Sequence, residues 1–190
     1  MTVESWRKTI AAVCVIGLVA VVLLLSQSDR TSRPMAVNGD AVGQETGESL
    51  ESYVGRAEQS LVEAPAGENA FGMITFAAPL DPESAAEVLS GLERVNAMVL
   101  LSASAMPIPE PVAGETRDDV FRRQLDRVDD SLAGIGDITA PRELNGVVAW
   151  DDGEAFRSVA ADPAVLAVEV LPPDAAWGRF GVRPVDAGES

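Results

Sequence analysis

The sequence predicts an α+β domain behind a single membrane-spanning segment, and three observations predict it. Residues 9–25 form an uncharged run, TIAAVCVIGLVAVVLLL. Residues 72–105 and 144–171 each read as strand, helix, strand. Proline and glycine clusters punctuate both stretches where regular structure has to stop.

The elements follow in order. With Ser26 the apolar run gives a transmembrane helix over 9–26, at the lower limit for a hydrocarbon core about 30 Å thick at 1.5 Å per residue. Trp6 sits where an interfacial anchor belongs. A secretory apolar region is shorter, about 7–15 residues, so an uncleaved signal anchor is favoured, although Ser26-Gln27-Ser28 has the small residues of a cleavage site. Arg7 and Lys8 before the run are matched in number by Arg30 and Arg33 after it; the amino terminus and the closeness of Arg7-Lys8 to the run tip the expectation toward residues 1–8 in the cytoplasm and the rest of the chain outside. Cys14 lies inside the run as a small hydrophobe. Residues 27–48, rich in Ser, Gly, Thr, Asp and Glu, read as a flexible linker, and 185–190 as a disordered tail. The extracytoplasmic domain is assigned to 49–184.

Within that domain Ser49 caps a helix whose apolar face is Leu50, Tyr53, Val54, Ala57 and Leu61. Gly72–Ala78 is a strand. Asp81-Pro82-Glu83 opens a second helix, with Ala85, Val88, Leu89, Leu92 and Val95 on one face. Met98–Ala105 is a buried strand, ended by Pro107-Ile108-Pro109-Glu110-Pro111. Thr116-x-x-Asp119 starts a third helix, lined by Phe121, Leu125, Val128 and Leu132 and stopped at Gly134. Leu144–Trp150, Glu154–Ala161 and Val165–Leu171 complete the second unit. Two β-α-β units of this kind predict the ferredoxin-like arrangement, with 116–133 inserted between the halves. The alternative is an open α/β sheet with parallel strands; the short last helix, about two turns, argues for the split form. Residues 144–171 resemble the second half of the propeptide-type inhibitor domains of subtilisin-like proteases, over fewer than thirty residues and without a specific motif. The resemblance implies a shared fold and raises a peptide- or protease-binding module as one functional reading.

Composition removes several functions. The 190 residues include no histidine, one cysteine and one lysine, Lys8. Ser-His-Asp and Cys-His catalytic sets and His-ligated metals are therefore excluded, and a Ser-Lys dyad is excluded outside the membrane. Setting aside Glu4, Arg7 and Lys8 leaves 12 basic and 29 acidic groups in residues 26–190, a net of −17. A nucleic-acid partner is not expected, because phosphate binding needs clustered cations. With no cysteine outside the span, the domain depends on its own core.

Candidate chemistry is sparse. Asp118-Asp119, Asp129-Asp130 and Asp151-Asp152 are acidic pairs, the first two on a helix face laced with arginines. Adjacent helical residues point about 100° apart, so a solvated surface explains them better than acid–base work. Asp151-Asp152-Gly153-Glu154 lacks the spaced ladder of a calcium loop and reads as a turn and cap. Arg122 and Arg123 read as members of a surface ion-pair network. Gly134-Ile135-Gly136 follows a helix and lacks the third glycine of a phosphate loop. The remaining feature is Trp177-Gly178-Arg179-Phe180-Gly181, whose residue types suit a protein contact. Trp177, Arg179 and Phe180 are the candidate partner-binding residues, closure of a core end being the other use of the two rings. The expected role is a protein-interaction or scaffolding component of the cell envelope. It is expected to be held in the plasma membrane with a protein partner in or outside the bilayer, and to be neither an enzyme nor bound to cofactor or metal. A carboxylate-based or metal-dependent hydrolase is the alternative.

Overall fold

The computed structural model describes residues 40–136 and 138–188. The membrane helix expected over 9–26, with Trp6 and Cys14, lies outside them. No helix among the described residues is long and apolar enough to cross a membrane.

The described chain is a mixed α+β domain around a five-stranded antiparallel sheet. Its elements are β1 (Ala41–Val42), α1 (Leu50–Glu63), β2 (Ala70–Leu80), α2 (Pro82–Val88), β3 (Arg94–Val99), β4 (Met106–Pro107), α3 (Arg117–Leu132), β5 (Leu144–Asp151), α4 (Gly153–Ala160), β6 (Val165–Val170) and β7 (Gly181–Val182). The sheet runs β4-β3-β5-β2-β6, while β1 and β7 form a separate parallel pair. Because β2 and β3 both run antiparallel to β5, they are parallel to each other with β5 between them. Likewise β5 and β6 flank β2. Each β-α-β unit is thus split by a strand of the other. The antiparallel pairing removes the open parallel sheet, whose strands cannot share a hydrogen-bonding neighbour in this way.

Alternation along the strands makes two cores. Ile74, Phe76, Val147, Ala149 and Val168 face α2, α3 and α4, which contribute Ala85, Leu89, Phe121, Leu125, Phe156 and Val159. Met73, Ala97, Val99, Val148 and Ala167 belong to a second cluster with Tyr53 and Ala57 of α1 and with Val42 and Val185. The second face of the sheet is therefore closed by α1 and by the two terminal segments. Residues 40–48, assigned to the linker by composition, are held by β1. Val185, assigned to the tail, is 2% exposed. Both carry apolar side chains the second cluster needs, and two-residue strands leave no period for a sequence pattern to show.

Local capping follows the sequence closely at four helix starts. Ser49, Asp81, Thr116 and Asp152 are the N-caps of α1, α2, α3 and α4. The end of α2 differs. The expected apolar face reaches Val95, but the helix stops at Val88, and successive turns donate Ser90 N–H to Glu87 O and Leu92 N–H to Leu89 O. Leu92 and Val95 stay buried from a turn and from β3, so helical spacing is mimicked by two different elements. Arg117 binds the carbonyls of Leu89 and Leu92 and secures that corner. At the far edge α1 runs along β6, where Ser60 Oγ accepts Val170 N–H at 2.9 Å. Arg157 caps the end of α1 through Leu61 O and Ala64 O.

Candidate interaction surface

The chain after β6 makes a proline bend and then a tight turn over residues 176–179. Arg179 N–H donates to Ala176 O at 3.0 Å, and Gly178 has φ +77°. A positive φ at the third position is the type II requirement that glycine meets without strain. Trp177 is thereby held at the turn's second position, above the sheet. Its ring lies 5.5 Å from Phe71 and 5.8 Å from Phe180; Phe71 also lies 5.3 Å from Phe180 and 4.6 Å from Trp150. The tilted and edge-on geometries are those that ring quadrupoles favour.

The four rings form one stack, graded from inside out. Phe71 is buried in β2, Trp150 and Phe180 are half-buried, and Trp177 is 42% exposed. Arg179 is exposed beside them. Sequence reasoning therefore picked three residues that the structure brings to one surface. It missed Phe71 and Trp150, which support them from two neighbouring strands in register, Phe71 opposite Trp150.

Next to this surface lies a buried polar group that the sequence reading did not single out. Glu169 of β6, 5% exposed, is the one charge in VLAVEVL. One carboxylate oxygen accepts Gly43 N–H at 2.7 Å and the other pairs with Arg56. Arg56 also donates to Gly43 O at 3.0 Å and to both oxygens of Glu48, and its guanidinium lies 5.5 Å from the centre of the Tyr53 ring. Tyr53 OH meets Thr75 Oγ1 at 3.0 Å. Burial pushes the Glu169 carboxyl up, against the pull of Gly43 N–H and Arg56. Arg56 holds Glu48 below its usual range, and burial drives the Tyr53 hydroxyl up to about 12. Arg56 and Glu169 lie 113 positions apart, so the only local signal was a glutamate inside an apolar strand.

Five of the six aspartates in the acidic pairs have structural partners. Asp118 and Asp119 pair with Arg122, and Asp119 also binds the N-terminus of α3. Asp129 pairs with Arg142 at 2.7 Å. Asp151 accepts the amides of Glu93 and Asp152, and Asp152 those of Glu154 and Ala155. No group of three acids or cysteines placed to hold a metal occurs among the described residues. A cleft of about 360 Å³ between the start of α2 and α3 contains Arg122, Arg142 and Asp126, with charges of both signs along its wall.

These caps set an acid limit. Ser84 hydroxyl and amide bonds lower Asp81, Thr116 bonds lower Asp119, and the Ala155 amide lowers Asp152. A carboxyl lowered by folding stabilises above its unfolded value and stops doing so as pH falls through its folded value. Urea midpoints are expected to fall below about pH 4 as these caps take up protons. A midpoint that rises on acidification through that range would contradict the capping roles.

Compared with known proteins, the chain matches no family model, no curated protein and no solved structure.

Proposed function

We propose that the chain is a protein-interaction component of the cell envelope, anchored in the plasma membrane by residues 9–26 with the domain of residues 40–188 outside. The strand order β3-β5-β2-β6, with α2 and α4 crossing on one face, supports a ferredoxin-like reading in which β4 and α3 are the insertion. The uncharged run and the preceding Arg7-Lys8 support the anchor and its orientation. The observation that carries the interaction role is Trp177, a large ring left 42% exposed by a preformed turn and backed by three more rings. A pre-ordered aromatic with an arginine beside it has the makeup of an energetic centre in protein contacts and loses little entropy on binding. The engagement of Asp118, Asp119, Asp151 and Asp152 as caps and ion pairs weighs against the hydrolase reading.

Crosslinking in intact membranes followed by affinity capture tests the role. Trp177→Ala is expected to cut recovery of the partner about tenfold or more while leaving the urea midpoint nearly unchanged, as suits an exposed hot-spot ring. Equal recovery by the variant would refute the surface. Cleavage of the C-terminal domain by protease added to intact cells is expected under the proposed orientation, and full protection would overturn it.

A further inference from the structure

We infer that the strip of surface occupied by residues 40–43 is a strand-binding site filled in cis, and that an extended protein segment of the partner takes the same place. Naming a protein segment rests on the reading of the adjoining rings as a protein contact; the site itself rests on the following geometry. β7 offers two amides in line: Gly181 N–H donates to Asp40 O and Arg183 N–H to Val42 O, both at 2.8 Å. Between them the occupant's side chain, here Val42, is fully buried in the second core cluster. The next residue has to be glycine, because a Cβ at Gly43 would lie 1.8 Å from Arg183 O and its φ is +96°. That residue's N–H is received by Glu169 and its carbonyl by Arg56. The site thus reads an apolar residue followed by glycine, through a backbone ladder and one shaped pocket, which is how added strands are recognised.

Two features make the cis occupant exchangeable. It is fixed to β7 by two residue pairs, Ala41 with Gly181 and Val42 with Val182. Its seating also encloses a carboxylate, which burial disfavours. β7 is continuous with Phe180, so an incoming strand on β7 runs beside the aromatic stack and joins both contacts into one interface. A tethered segment competes at an effective concentration of about millimolar, which keeps the site closed to weak strands and open to a partner that also engages the rings.

Amide exchange on the full chain in detergent tests the exchangeability. Gly43, Gly181 and Arg183 are expected to exchange at least 100-fold faster than Ile74 and Val148 of the central strands. Equal protection would mean that the segment leaves only on global unfolding, and would overturn the inference. The binding test uses a synthetic peptide of residues 39–48, GDAVGQETGE, as the probe. Full-length Gly43→Val, unable to seat its own segment, is expected to bind the peptide at least tenfold more tightly than the wild type. The peptide carrying Gly43→Val is expected not to bind. Val42→Asp serves as a second unseated variant should the first fail to fold. Equal binding to wild type and variant, or no binding to a variant with protected central strands, would overturn the site. Capture that depends on Trp177 without peptide binding would leave the proposed function standing and sink this inference. Peptide binding without Trp177-dependent capture would do the reverse.

Discussion

Arg56→Met is expected to destabilise the domain by about 3 kcal/mol at neutral pH, the cost of leaving a buried carboxylate without its cation. Methionine keeps much of the stem over Tyr53, so the loss falls on the charge. Glu169 would retain Gly43 N–H alone, Gly43 O would lose its side-chain donor, and Glu48 would keep only the Glu45 N–H. Burial already raises the Glu169 carboxyl, and removing Arg56 raises it further. A raised acid costs stability while it is ionised and ceases to as pH falls through its folded value. The deficit in the variant therefore shrinks on acidification, opposite in sign to the behaviour of the capping aspartates. Adding Glu169→Leu is expected to recover most of the loss, since a neutral pair leaves no stranded charge. Urea midpoints at pH 7 and 5 would decide it; a deficit that grows toward pH 5 would contradict this account of the group.

Phe156→Ala is expected to cost about 3–5 kcal/mol, in the range of large aromatic deletions. Phe156 projects from α4 onto the sheet and is fully buried. Its ring lies directly over Gly72, where an added Cβ would meet ring atoms at 2.8 to 3.2 Å. Glycine in a central strand is thus the complement of the ring, and neither is replaceable alone. Gly72→Ala should destabilise the wild type. In the Phe156→Ala background the same change fills part of the vacated space, so the two effects are less than additive. Thermal midpoints of the two single variants and the double would settle it, and strict additivity would sink the pairing.

The parts of the domain written in local chemistry were legible in the sequence. Ser49, Asp81-Pro82 and Thr116-x-x-Asp119 stand where α1, α2 and α3 begin, because capping is decided within four residues. The order of strands and helices through 144–171 was equally local. What was not legible depends on distant partners. The two-residue strands β1, β4 and β7 have no alternation to detect, and the Arg56–Glu169 pair joins residues over a hundred positions apart. Trp177, Arg179 and Phe180 were identified by residue type, while the grading of exposure among them comes from Phe71 and Trp150 beneath.

The interleaving of the two split units also governs when the domain can form. β2 pairs with β5 and β6 and with no earlier strand, Leu80 meeting Leu144 and Gly72 meeting Val170. Its apolar residues emerge first during synthesis and wait for a loop of about sixty residues to close, a non-local topology that slows folding. A chain released before Leu144 holds β2 and β3 but nothing to seat between them, so partial products cannot reach a stable intermediate sheet. Folding of this domain is a late event, timed by the arrival of β5 and β6.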